Sequence, residues 1–180
     1  AHKNGWMFGL PLQSRTGWGY LYNSNITSQL EAQDDVAKIL EEYQVEFHSR
    51  DCREFSFKNY YAKNIMNEDG NIFVNGNRAL FLEPIQATSL GCYGLINEMI
   101  LDRIESDVYD SQKYHDIMNE VIMFINLHYL RGSDYDTPFW RMATKGAEKL
   151  FDGVDPSKYN WDYILDWNPQ FRRQMFDNFI

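Results

Sequence analysis

Basic side chains are in short supply in this chain. Seventeen lysines and arginines stand against 26 aspartates and glutamates, for a formal net charge of −9. With no long basic run, nucleic acid is disfavoured as a partner, because phosphate-backbone affinity comes from clustered cations. Cysteine is scarcer still: Cys52 and Cys92 form neither a C-x-x-C pair nor a disulfide framework. That usage suits a reducing, cytoplasmic compartment. His48, His115 and His128 show no H-x-x-x-H or H-E-x-x-H spacing, so no metal site is expected, and His128 reads as a hydrogen-bonded structural histidine. No apolar run is long enough to span a bilayer and no signal peptide opens the chain, so no membrane association is expected. A G-x-S-x-G elbow is missing, which leaves a hydrolase triad without an anchor. G-x-G-x-x-G and P-loop motifs are missing too, since Gly17-Trp18-Gly19 lacks the third glycine. The chain thus shows no loop that would hold a nucleotide's pyrophosphate by itself. Internal repeats and low-complexity segments are also lacking.

Aromatic residues, by contrast, are plentiful. They make up 16% of 180 residues, against an ordinary 44% apolar and 24% charged content. Rings at that density suit a lined pocket or an interface. The length suits one domain with a sizeable core.

The stretch Gly76-Asn77-Arg78-Ala79-Leu80-Phe81-Leu82-Glu83-Pro84-Ile85-Gln86-Ala87-Thr88-Ser89 organises the rest. Before it, Asn71-Ile72-Phe73-Val74 follows the turn signal Asp69-Gly70 and reads as a buried strand. After it, residues 90–105 read as a long apolar helix. Pro84 lacks an N–H and disfavours helix at Glu83, so the chain should turn there and enter a helix near Ala87, Thr88 or Ser89. A helix start with free backbone N–H groups suits a halide, phosphate or carboxylate. A capped helix beside a crossover loop explains the same residues without a ligand.

Along the chain, residues 5–12 read as a buried strand broken by Gly9 and closed by Pro11. Arg15-Thr16-Gly17 supplies a turn, and residues 18–22 form the second arm of a hairpin. Trp6, Phe8 and Trp18 are then core candidates. Ser28 and Glu31 form a capping box for a helix over residues 29–43, with Ala32, Val36, Ile39, Leu40 and Tyr43 inward. Its acids Asp34, Asp35, Glu41 and Glu42 should be mostly wet. Residues 45–48 and 55–57 alternate, which predicts a two-stranded ribbon. The helix after Ser89 carries Leu90, Tyr93, Ile96, Ile100 and Ile104 on one stripe, widened by Leu95, Met99 and Leu101, which predicts burial on most sides. A further helix over residues 111–130 turns Tyr114, Ile117, Met118, Val121, Ile122, Ile125 and Tyr129 inward. Asp136-Thr137-Pro138 gives a cap and a first-turn proline for a helix carrying Phe139, Met142, Ala143, Ala147 and Leu150. The last stretch, residues 151–180, predicts short helices. A strand-rich first half and a helical second half make the class α+β.

Three segments together resemble a known family. Gly5-Trp6-Met7-Phe8-Gly9-Leu10-Pro11 resembles the G-W-x-W-x-I-P signature of flavin-dependent halogenases, the tryptophan halogenase family. Residues 71–90 resemble that family's second flavin-contacting segment, with its F-x-E-P-L-E-S/A-T-G/S ending. Ile125-Asn126-Leu127-His128-Tyr129, with Asp136-Thr137-Pro138-Phe139-Trp140, resembles its later H-Y…D-T-P-F-W segment.

The resemblance implies part of a flavin-monooxygenase-like (FAD/NAD(P)-binding) fold. Residues 1–90 would be the strand-rich part of the flavin module and residues 91–180 a helical substrate-side region. It implies hypohalous acid made from reduced FAD, O2 and halide, which passes through a tunnel to an electron-rich aromatic substrate of indole or phenol type. A separate flavin reductase would be a partner. By the same match Trp6, Phe8 and Pro11 form the tunnel wall, Gly76, Asn77 and Pro84 contact the flavin, and Thr88 and Ser89 hold the halide. Gln86 takes the catalytic position, and Tyr129, Phe139 and Trp140 lie on the substrate side.

The departures are specific. Phe8 replaces a tryptophan and Asn77 an aspartate. Ser89 replaces a frequent glycine, which asks more of the local φ/ψ. Gln86 stands where the family has its active-site glutamate; it can hydrogen-bond but cannot act as a carboxylate base. The Gly-rich nucleotide loop and the catalytic lysine lie upstream in the family, so the chain is expected to be a carboxyl-side piece of an enzyme about three times larger. A same-fold flavin hydroxylase and a non-catalytic binding module are the alternatives.

Overall fold

The protein, a computed structural model, is described over residues 1–46 and 52–161. It divides into two compact units that interleave along the chain: Ala1–Glu54 with Asn126–Gly153, and Phe55–Ile125 with Val154–Ile180.

The first unit begins with a hairpin. Strands β1 (Gly5–Pro11) and β2 (Thr16–Tyr22) pair antiparallel from Gly5 opposite Tyr22 to Pro11 opposite Thr16. The Leu12 amide donates to the Arg15 carbonyl (2.8 Å) and closes the turn. Aromatic rings lie over glycines across the pair: a side chain at Gly9 would meet the Trp18 ring at 2.9 Å, and one at Gly19 the Phe8 ring at 2.2 Å. At Gly5 a Cβ would stand 1.9 Å from the Leu21 carbonyl oxygen, so only glycine fits. The hairpin is less buried than its apolar sequence predicts. Only Gly5 is fully covered, Trp6 and Phe8 are half-buried, and Trp18 is 43% exposed. Two strands leave much of a ribbon without neighbours.

Helix α1 (Gln29–Glu42) starts on the expected capping box: the Glu31 amide donates to Ser28 Oγ (3.3 Å) and the Ser28 amide to Glu31 Oε2 (2.8 Å). Ala32, Ile39 and Leu40 are buried, whereas Tyr43 is exposed rather than inward. Asp35 is not wet either. Its Oδ2 accepts from Tyr20 OH (2.9 Å) and Asn4 Nδ2 (2.8 Å), which ties α1 to the hairpin.

In the second unit, β3 (Tyr60–Tyr61) and β4 (Leu80–Phe81) form a short antiparallel ribbon, continued by the Ala62 amide on the Ala79 carbonyl (2.6 Å). The expected strand at residues 71–74 reduces to one bridge between Met66 and Phe73, with Ile72 exposed. The cause is Asn67, whose Oδ1 accepts from the Asn71 (3.0 Å) and Ile72 (2.8 Å) amides and holds the segment as a turn. The expected ribbon does not form over residues 45–46 or 55–57; residues 47–51, including His48, lie outside the described residues.

Helix α2 (Thr88–Ser106) buries Thr88, Gly91, Cys92, Ile96 and Met99. Of the expected stripe, Leu90 (68% exposed) and Ile104 (72%) face outward. The helix has apolar residues on more than one side, and the observed face is a quarter-turn or more from the expected one. Helix α3 (Ser111–Arg131) is the one covered on most sides, with Tyr114, Ile117, Met118, Val121, Met123 and Phe124 buried. Asp110 caps it through the Gln112 (2.9 Å) and Lys113 (3.1 Å) amides. The division between the units falls within α3, after Ile125.

Helix α4 (Pro138–Leu150), in the first unit, starts after Thr137 with Pro138 in the first turn, as the sequence predicts. Thr137 Oγ1 donates to the Lys3 carbonyl (2.7 Å) instead of capping its own helix. Phe139, Trp140 and Ala147 are buried; Met142 and Leu150 are not. A 3₁₀ turn, Pro156–Lys158, precedes Trp161, and residues 162–180 lie outside the described set. Strands come early and helices dominate the second half, an α+β layout. Among the described residues no helix is long and apolar enough to cross a membrane, and no group of three or more His, Cys, Asp and Glu could hold a metal.

Candidate functional site

The two sets of expected site residues fall one in each unit, and each has its own construction.

In the second unit one 3₁₀ turn, Gly76–Arg78, leads into β4, and a second, Ile85–Ala87, links β4 to α2. Gly76 has φ +61°, and a Cβ there would meet nothing within 4 Å. The backbone is left-handed where glycine serves best and faces open space. Asn75 anchors this turn. Its Oδ1 accepts from the Gly76 amide (2.7 Å), and its Nδ2 donates to the Tyr93 carbonyl (3.0 Å) and Asn97 Oδ1 (2.7 Å). Asn77 is held from both ends: Tyr93 OH donates to its Oδ1 (2.6 Å) and Tyr60 OH to its carbonyl. With Oδ1 engaged, Asn77 is left to present its NH2 group.

Further on, the Glu83 amide donates to Asn59 Oδ1 (2.9 Å), and Asn59 Nδ2 donates back to Glu83 Oε1 (3.1 Å). Glu83 is buried and clamped, whereas Gln86 is exposed. Gln86 (φ 53°, ψ 24°) and Ala87 (φ 55°, ψ 29°) are both left-handed. That conformation costs a non-glycine residue about 1–2 kcal/mol. The unusual backbone expected at Ser89 thus lies two and three residues earlier, and Ser89 itself is helical.

Helix α2 begins with Ala87 at the N-cap and no side-chain cap. Alanine has no oxygen to offer, so the first-turn donors lack the usual partner. Thr88 is fully buried, and both its amide and its hydroxyl (2.5 Å) donate to the Ile85 carbonyl. Ser89 follows at the second helical position, with its Oγ accepting from the Leu82 amide (3.3 Å). Cys92, one turn on, is buried; burial pushes its thiol up to about 12, so it stays protonated and unreactive at neutral pH.

In the first unit the structure brings five of six expected residues into one aromatic cluster. Trp6 Nε1 donates to Tyr129 OH (2.8 Å), and Trp6 and Phe8 rings lie 5.8 Å apart. Tyr129 lies 6.4 Å from Phe139 and 6.0 Å from Trp140, which meet edge-to-face at 5.1 Å. Such pairs each add roughly 0.5–1.5 kcal/mol beyond burial. Trp140 Nε1 donates to the His2 carbonyl (2.7 Å) and its ring is 5% exposed. Tyr129, Phe139 and Trp140 are therefore interior residues of this unit. Pro11, the sixth, is exposed at the far end of β1.

Sequence reasoning did not single out Asn59 or Asn75, and it placed Tyr93 on the apolar stripe of α2 rather than at this turn. Each acts through distant hydrogen bonds, and only Asn75, just before Gly76, stands where a turn-anchoring asparagine could be anticipated.

Known proteins share this fold. The solved VirX1 structure superposes with a TM-score of 0.63 at 21% identity, covering 98% of this chain and 33% of its own. A tryptophan halogenase from Shewanella frigidimarina superposes with a TM-score of 0.58 at 22% identity, covering 93% and 37%. The fold is therefore that of part of a flavin halogenase. In sequence, the chain is similar to tryptophan 7-halogenase RebH of Lentzea aerocolonigenes, 26% identical over 161 residues, 86% of this chain and 29% of that protein. Tryptophan 6-halogenase ThaL of Streptomyces albogriseolus is 22% identical over 166 residues, 86% and 30%. The tryptophan halogenase family matches residues 1–155, and the chain belongs to that family. It spans under a third of the length of these curated relatives.

Proposed function

We propose that the chain is the halide-side and tunnel-wall portion of a flavin-dependent halogenase that acts on an electron-rich aromatic, an indole or a phenol. The observation that carries this reading is the start of α2. It is a helix N-terminus with no side-chain cap, reached through two left-handed non-glycine residues, Gln86 and Ala87. Strain of that kind concentrates at functional sites, and uncapped first-turn amides suit a small anion.

The turn at Gly76 fits a flavin: its backbone is open where a side chain would otherwise stand, and Asn77 presents donors beside it. When bound, reduced FAD with O2 and halide supplies the electrophilic halogen. The remaining chemistry belongs to this chain's residues. Ser89 and the following first-turn amides hold the halide, while Thr88, turned inward, fixes the helix start. Gln86 orients hypohalous acid through its amide and takes no proton. Pro84 sets the bend that aims α2 at the site. Trp6, Phe8 and Pro11 wall the flavin side from the substrate side, and Tyr129, Phe139 and Trp140 brace that wall from behind. A separate reductase delivers the reduced flavin.

The test is to supply the complete enzyme with reduced FAD, O2 and bromide and to analyse a panel of indoles and phenols by mass spectrometry. A brominated ring is expected. No halogenated product with chloride or bromide anywhere in the panel overturns the reading. Gln86 favours one rival, a same-fold hydroxylase. Gln86→Glu should raise halogenation at least tenfold, and an oxygenated product with no such gain favours the rival.

A further inference from the structure

Tyr93 stands on α2 one turn after Ser89 and holds the Gly76–Arg78 turn at two points. Its carbonyl accepts from Asn75 Nδ2 (3.0 Å), and its hydroxyl donates to Asn77 Oδ1 (2.6 Å). Burial pushes the Tyr93 phenol up, and a hydrogen bond from the Ser89 side chain pulls the other way. Ser89 Oγ in turn accepts from the Leu82 amide, just past β4 (3.3 Å). These bonds run in one direction. The Leu82 N–H can only donate, so Ser89 accepts there and its one proton is left for Tyr93 Oη. Tyr93 also has one proton, which goes to Asn77. The Leu80 carbonyl, 3.4 Å from the same hydroxyl, is the weaker second acceptor. Asn77 Oδ1 ends the line. No member can rotate without leaving a neighbour's donor or acceptor unmet. Tyr60 holds the Asn77 carbonyl separately, from β3.

We infer that Tyr93 is a positioning residue that ties the start of α2 to Asn77. The backbone route from Asn77 to Ser89 passes through β4, the buried Glu83 and the left-handed Gln86 and Ala87. The side-chain route is the Tyr93 phenol alone, with Ser89 on one side and Asn77 on the other. A start of α2 released from Asn77 would hold an anion less firmly. That part in halogenation rests on the reading above; the tie itself stands on these hydrogen bonds.

The test follows exchange of the Gly76 and Ala79 amides, both bonded within the turn, by NMR on the 180-residue chain. Tyr93→Phe and Ser89→Ala should each speed that exchange about fivefold, the size of one ordinary hydrogen bond. Together they should do no more than either alone, because both break the same line. Tyr60→Phe cuts a separate bond, so its effect should add to that of Ser89→Ala. The Ile96 and Met99 amides, of residues buried on α2, should not change, which separates a local tie from a looser fold. Unchanged Gly76 and Ala79 exchange in Ser89→Ala overturns the inference. So do Ser89→Ala and Tyr93→Phe effects that multiply, or equal acceleration at Ile96 and Met99. In the complete enzyme Tyr93→Phe should raise the halide KM several-fold and leave kcat within about twofold. An unchanged KM overturns the tie's part in the reaction. No halogenated product from the unaltered enzyme removes the halogenase reading alone, and amide exchange still decides the tie.

Discussion

The hairpin of β1 and β2 and the turn that leads into α2 use glycine in opposite ways. At Gly5 the backbone is ordinary, and glycine is present because a Cβ would collide with Leu21. At Gln86 and Ala87 the backbone is left-handed, and glycine is absent although a Cβ there is penalised. The hairpin is shaped by space, with rings laid over Gly9 and Gly19. The turn is shaped by hydrogen bonds, with Asn59, Asn75, Thr88 and Tyr93 pinning a path the backbone would not choose alone. A region held by packing should fail when volume is added. A region held against strain should gain when strain is removed.

That contrast sets the order of expected effects. Gly5→Ala should be the most damaging single change, about 3 kcal/mol or more, since the new methyl group meets backbone rather than a movable side chain. Urea denaturation measures it; a loss under about 1 kcal/mol would show that the strands can part cheaply. Asn59→Ala should cost roughly 2 kcal/mol in the same experiment, because it removes the partner of the Glu83 amide in a buried setting. Ala87→Gly should change sign and stabilise by about 1 kcal/mol. Destabilisation there would remove strain as the description of the turn.

Smaller effects probe the joints. Burial, then the hydrogen bond to Asp35, raises the Tyr20 phenol well above its usual 10. The neutral phenol is favoured in the fold, so its contribution is complete below pH 10 and is lost as pH rises through the folded-state value. Tyr20→Phe should remove that part of the alkaline decline and cost on the order of 1 kcal/mol at neutral pH. The least perturbing check is thiol labelling at pH 8. Exposed Cys52 should react and buried Cys92 should not, giving one label per native chain and two in denaturant.

Local chemistry was the legible part of this fold. The Ser28–Glu31 box, the first-turn Pro138 and the entry into α2 near Thr88 each depend on residues within one turn of each other. What was misjudged depended on side chains competing for backbone groups and on which face the packing covers. Asn67 captured two amides and undid the strand at residues 71–74. Helix α2 carries apolar residues on more than one face, so periodicity alone could not choose between the Leu90–Ile104 stripe and the Thr88–Met99 face that is buried. At the candidate site, the motif positions located the turn and the aromatic cluster. They could not show that Thr88 bonds Ile85, that Trp140 is interior, or that the left-handed pair precedes Ser89.

The bare start of α2 has a consequence for how the protein must be handled. On the proposed reading, the leading end of this helix, which has no side-chain oxygen of its own, takes a halide from the medium. The salt in which the chain is dissolved then becomes a structural ingredient, and chloride exchanged for a bulky organic anion should register in the melting curve before any substrate is added.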